Sequence, residues 1–144
     1  MLKGLPPILG PDLLWTLRAM GHGDELTIVD ANFPGASAGP KLVRADSATA
    51  PEMLDAILQL FPLDQYDDVA AISMQVVGDP DRREPIVDEF ERIVQRHEPR
   101  HKVHSLERFE FYKRANRGFA IIQTGETRQY GNLILKKGIV PPNG

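Results

Sequence analysis

A chain of 144 residues with 42% hydrophobic and 26% charged residues has the size and balance of one globular domain, which excludes disorder along its length. Its net charge of -3 argues against a nucleic-acid protein, and the lack of cysteine excludes disulfides, thiolate nucleophiles and cysteine-ligated metals. No apolar run approaches the roughly 20 residues that cross a bilayer, and residues 1–20 carry no secretory pattern, so the expected setting is the cytoplasm with no membrane partner.

"GPDLLWTLRAMG" opens a short helix, with Pro11 suited to its first position, Leu13, Leu14, Leu17 and Met20 on one face, and Gly21 suited to a left-handed stop. "ELTIVDA" reads as a strand with a β-branched centre, "NFPGASAGP" as a loop and "KLVRAD" as a second short strand. "SATAPEMLDAILQLF" is a helix capped by Ser47 or Thr49, with Pro51 near its start and a stripe of Met53, Leu54, Ile57, Leu58 and Phe61. Val69 to Val77, "VAAISMQVV", fits a strand buried on both faces.

"EPIVDEFERIVQRH" supplies a third helix through Ile86, Phe90, Ile93 and Val94, and "HKVHSLE" a weaker strand. "RFEFYKRAN" is a short helix, and Gly118 leads into the strand "FAIIQTG". A last strand lies in "YGNLILKKGIV". The basic cluster Tyr112 to Arg117, flanked by Glu107 and Glu110, reads as a solvated helix face. Helices alternate with strands, so the expected class is α/β: a single domain over residues 1–144, layered α/β/α around a central sheet.

His22 stands between Gly21 and Gly23, on a bend with little bulk to shield it. It is either an exposed turn histidine or, because ligands bind at strand ends in α/β proteins, a proton-transfer group. Asp30 ends its strand at the next loop and either caps the "ANFPG" turn or faces a ligand. Tyr130 and Asn132 are either site-rim hydrogen-bonding groups or ordinary strand-edge residues.

"GHG" lacks the G-x-G-x-x-G spacing of a dinucleotide site, and no G-x-S-x-G marks a serine hydrolase. His97, His101 and His104 are spaced as a metal site might be, but Pro99 interrupts the helix that would align the first two. They read as surface histidines.

"MGHGDELTIVDANFP", "RFEFYKRA", "TGETRQYGNLILKKGIV" and the opening "MLKGLPPILGPDLL" together resemble the L-fucose mutarotase and D-ribose pyranase family over nearly the whole chain. G-H-G-D-E followed by D-A-x-F-P leans toward the fucose mutarotase branch. The chain departs from that branch at Asn32, where fucose mutarotases commonly carry histidine.

The resemblance implies His22 as the proton-transferring group, and Asp30, Arg108, Tyr130, Gly131 and Asn132 as contacts to a monosaccharide. It implies no metal or other cofactor, and a ring-like homo-oligomer, decameric in well-known relatives. His22 and Asp30 would then lie on two sides of one sugar pocket, brought there by the strand between them, with Tyr130 a further candidate for proton relay. The expected reaction is exchange of the α and β anomers of L-fucose or a similar sugar. The alternatives are a pyranase acting on a pentose and a non-catalytic sugar-binding oligomer.

Overall fold

The computed structural model describes residues 1–143. In chain order they form α1 (Pro11–Ala19), β1 (Glu25–Val29), β2 (Lys41–Ala45), α2 (Ala50–Leu58), β3 (Ala71–Met74), α3 (Pro85–His97), β4 (His104–Leu106), α4 (Arg108–Asn116), β5 (Ala120–Thr124) and β6 (Leu133–Lys136). Every element expected from the sequence is present in its expected place. The nine-residue run at Val69 contributes only four residues to the ladder, because Val69 and Ala70 precede the pairing and the last three residues turn away beyond Met74.

The helix ends follow local chemistry. Pro11 starts α1 without a side-chain cap, as a residue lacking an N–H can. Thr49 rather than Ser47 caps α2: its hydroxyl accepts the Glu52 N–H while the Glu52 carboxylate accepts the Thr49 N–H. Glu107 caps α4 by accepting the N–H groups of Phe109 and Glu110. Gly21 does not act as the left-handed stop of α1. Met20 leaves the helix extended, the Asp24 carboxylate takes the Gly21 N–H, and the positive φ of +87° falls on Gly23.

The six strands form one sheet in the order β2-β5-β1-β6-β3-β4. All run parallel except β6, which pairs antiparallel with β1 and β3. Alternation along the strands divides the core. Leu26, Ile28, Ile122, Leu133 and Leu135 face α1, α2 and α3, whereas Val29, Ile72, Ile121 and Ile134 face α4 and the loop bearing Phe33. On the second side Phe111 is fully buried, a burial that contributes roughly 1.5–3 kcal/mol. The layering is the α/β/α arrangement expected.

Arg114 corrects the reading of the basic cluster as solvated. Its guanidinium reaches Glu25 Oε2 at 2.6 Å and ties α4 to the start of β1. His101 is likewise no surface residue: it is buried, and burial first of all pulls its imidazole below the ordinary histidine pKa.

Candidate functional site

Parallel strands place their carboxyl ends on one edge of the sheet, and the antiparallel β6 brings its amino end to that same edge. Asp30 leaves β1 there, Met74 ends β3, Arg108 opens α4 just beyond β4, and Tyr130 to Asn132 lead into β6. Asp30, Asn32, Arg108, Tyr112, Tyr130 and Asn132 line an open cleft of about 550 Å³, within the usual range for small-molecule sites.

Asp30 organises this cleft. Its Oδ1 accepts the Asn32 N–H at 3.0 Å, so it does cap the turn, and its Oδ2 accepts the Gly131 N–H at 3.2 Å. Its own N–H donates to Asn132 Oδ1 at 2.9 Å. Burial raises its pKa, against the opposing pull of those donors. A Cβ at Gly131 would meet Ile86 Cδ1 at 3.0 Å and Glu126 Cγ at 3.1 Å, so glycine lets this backbone approach the carboxylate.

Tyr130 holds a φ of +62°, a left-handed conformation costly for a bulky side chain, and its hydroxyl accepts the Val77 N–H at 3.2 Å. Arg108 carries its guanidinium over Phe109, and its buried Nε has no hydrogen-bond partner. Such an orphaned donor is costly unless a ligand oxygen meets it. Tyr112, four residues on and on the same helical face, lines the cleft and packs against the core, which corrects its reading as part of a solvated face; its spacing from Arg108 is the signal the sequence carries.

His22 lies elsewhere. It precedes β1 at the opposite edge, and five strand steps put that edge about 17 Å from Asp30. The expectation that the strand brings the two residues to one pocket is therefore not met within a single chain. Strand ends bracket a sheet; they do not close on one another.

His22 has its own surroundings. Its Nε2 is 3.1 Å from Asp64 Oδ1, its ring packs 5.6 Å from that of Tyr66, and its side chain is 45% exposed. Asp64 is 4% exposed, accepts the Tyr66 N–H at 3.0 Å and lies 3.5 Å from Lys136 Nζ, which also bonds Asp67 at 2.9 Å. Burial works to raise the Asp64 pKa, but the Tyr66 amide, His22 and Lys136 together hold it below the ordinary value. An ionised Asp64 accepts a hydrogen bond from the Nε2–H of His22, which leaves Nδ1 as the unprotonated ring nitrogen. No local spacing in the sequence signals Asp64.

The three histidines weighed as a metal site do not converge. His97 Nε2 bonds Asp55 at 2.8 Å, His101 is buried and His104 is exposed on β4. Among the described residues, no three His, Asp or Glu side chains are placed to hold a metal ion.

A family model described as the RbsD / FucU transport protein family matches residues 3–140. The chain is 48% identical to a fucose mutarotase from Danio rerio over 99% of its length and 96% of that protein's. It is 45% identical to a fucose mutarotase from Homo sapiens, over the same shares. Among solved structures, the fucose mutarotase in complex with L-fucose from Streptococcus pneumoniae matches with a TM-score of 0.90 and 44% identity, covering 97% of this chain and 100% of that one.

Proposed function

The chain belongs to the RbsD / FucU transport protein family, and we infer that it is an isomerase, a mutarotase that exchanges the α and β anomers of L-fucose or a similar monosaccharide. The observation that carries the reading is the convergence of Asp30, Arg108, Tyr130 and Asn132 on one cleft.

Mutarotation asks little of a protein. The anomeric hydroxyl loses a proton, the ring oxygen gains one, and the bond between C1 and the ring oxygen breaks. The free aldehyde turns and recloses on its other face, with the two proton transfers reversed. Atoms and charge balance without a cofactor. One group that gives and takes protons near neutral pH suffices, and such catalysis is typically worth about 10²–10⁴-fold.

We assign that group to His22, with Asp64 fixing its ring, and the sugar contacts to Asp30, Arg108, Tyr130, Gly131 and Asn132. Polar groups anchored in this way discriminate sugars through the cost of leaving hydrogen bonds unmade. Because His22 and the cleft occupy opposite sheet edges, the working form is a ring-like homo-oligomer, decameric as the resemblance implies, in which His22 of one copy faces the cleft of another.

Exposed aromatic residues support this pairing. Tyr66, 76% exposed, adjoins His22, and Phe109, 63% exposed, adjoins Arg108. The proposed setting is the cytoplasm; among the described residues no helix is long and apolar enough to cross a membrane.

Exchange spectroscopy by NMR tests the function directly. Adding the protein to an equilibrated solution of L-fucose should accelerate exchange between the two anomeric proton signals, with other monosaccharides responding less. A panel in which no sugar's anomers exchange faster with the protein than without it would defeat the mutarotase reading.

A further inference from the structure

One buried charge has no part in the mechanism above. Glu126, 3% exposed, lies in the connection from β5 to β6, which crosses over the carboxyl end of β1. Its carboxylate accepts four hydrogen bonds: from Ala50 N at 3.3 Å, and from Arg128 N, Nε and Nη2 at 3.2, 2.9 and 3.4 Å. Arg128 continues to Glu89 Oε2 on α3 at 2.9 Å.

The backbone of Glu126 is fixed as well. Its carbonyl accepts the Ala31 N–H at 2.8 Å, and its N–H donates to Thr124 Oγ1, whose hydroxyl donates to Val29 O. This one residue therefore ties the crossing segment to α2 and to the chain leaving β1, and through Arg128 to α3.

The segment so anchored delivers Tyr130 in its left-handed conformation. Tyr130 is the only non-glycine residue of positive φ among those described. A bulky residue keeps that conformation only where its surroundings over-determine it. The next residue, Gly131, sits so close to the Glu126 side chain that an added Cβ would lie 3.1 Å from Glu126 Cγ, and it donates its N–H to Asp30.

We propose that Glu126 is a positioning residue of the sugar cleft: through Arg128 and its packing against Gly131 it holds Tyr130 left-handed and sets the Tyr130 hydroxyl and the Gly131 N–H at the cleft. It touches no sugar. The proposal rests on the mutarotase reading for its effect on rate.

The chemistry at this point calls for a carboxylate. Ala50 N–H, Arg128 N–H and the guanidinium are all donors, so an amide in place of Glu126 turns an NH₂ group toward at least one of them. The aspartate side chain is one methylene too short to span them.

The test compares full-length wild type, Glu126→Gln, Tyr130→Phe and the double variant. Hydrogen exchange at the Gly131 amide should accelerate about tenfold or more in Glu126→Gln, while the Ile72 and Ile134 amides in mid-sheet keep wild-type rates. The kcat/KM for L-fucose anomer exchange should fall on the order of tenfold, chiefly through KM. In the Tyr130→Phe background the same substitution should cost less than about twofold.

Wild-type exchange at Gly131, or equal acceleration across the whole sheet, overturns the proposal. So does a loss of activity undiminished in the Tyr130→Phe background. Should Glu126→Gln fail to fold, Arg128→Gln removes the same ion pair from its more exposed side and must accelerate Gly131 exchange as well. A wild-type protein that accelerates no anomer exchange counts against the mutarotase reading alone, and the Gly131 comparison still decides the positioning role.

Discussion

His22 Nε2 lies 3.1 Å from Oδ1 of Asp64, a carboxylate 42 residues further along the chain and almost wholly buried. The carboxylate is held by the Tyr66 amide and Lys136, so the fixed partner orients the more exposed one. If His22 carries the proton, His22→Ala should remove the acceleration of anomer exchange, about 10²–10⁴-fold, with no loss of fold. Asp64→Asn should retain the imidazole but lose its orientation, lowering the rate roughly ten- to hundredfold while sugar affinity stays near wild type. NMR exchange rates paired with thermal melts check both. Undiminished exchange in a folded His22→Ala protein removes His22 from the mechanism.

Acid titration should separate the carboxylates. Asp64, Asp67 and Glu126 have pKa values below their ordinary ones, so each contributes stability that is fully present above its unfolded value, ~3.9 for Asp and ~4.3 for Glu, and is lost as pH falls through the folded value. Asp30 runs the other way. Its pKa is raised by burial, so the folded protein takes up that proton first, and this one group favours folding as pH falls from its folded value toward ~3.9. Below ~3.9 Asp30 is protonated in both states and contributes no further change, while the other three go on losing stabilisation, so net stability should decline below about pH 4. Carboxyl ¹³C shifts followed with pH should show Asp30 titrating above, and Asp64 below, the ordinary aspartate range. The reverse order would contradict the burial described for Asp30 and the hydrogen bonds and charges described for Asp64.

What the sequence disclosed and what it concealed divide along contact range. Pro11, Thr49 and Gly118 act within a few residues, and the elements they bound lie where those signals place them, the exchange with Glu52 deciding for Thr49 over Ser47. Asp30 and Asn132 stand out as candidates because each sits at the end of an apolar run, while their reading as sugar contacts rests on the family resemblance. Their mutual hydrogen bond, across 102 positions, was not legible. Arg114 read as solvated because its partner Glu25 is 89 positions away, and Asp64 left no mark because a single aspartate in a connecting segment has no period. Within a single chain His22 and Asp30 do not share a pocket, for a geometric reason: a strand separates its two ends by its full length.

Chelation should leave activity unchanged. Ring opening by proton transfer needs no Lewis acid, and His97, His101 and His104 are divided among a contact to Asp55, the core and the surface. Exchange rates before and after exhaustive dialysis against a chelator check this. Activity that vanished and returned only with zinc or another divalent ion would reopen the assignment of the catalytic group.

The last prediction concerns how a site split across the sheet becomes whole. Asp30, Arg108, Tyr130 and Asn132 share one edge, and His22 with Asp64 occupies the other. A cyclic assembly places two different patches of the same chain in contact at each interface, so the two half-sites can meet between copies. His22→Ala protein and Asn132→Ala protein should each be weak alone. Co-expressed, they form mixed rings in which some interfaces join an intact His22 from one copy to an intact Asn132 cleft from another. For random mixing in equal amounts about a quarter of interfaces are fully intact, so activity should return toward that fraction of wild type. Native mass spectrometry establishes that mixed rings have formed, and NMR exchange then gives their activity. Mixed rings no more active than the average of the two parent variants would mean that His22 and the cleft do not act across an interface; the catalytic proton would then have to come from a group on the cleft's own edge of the sheet, with Tyr130 the first to test.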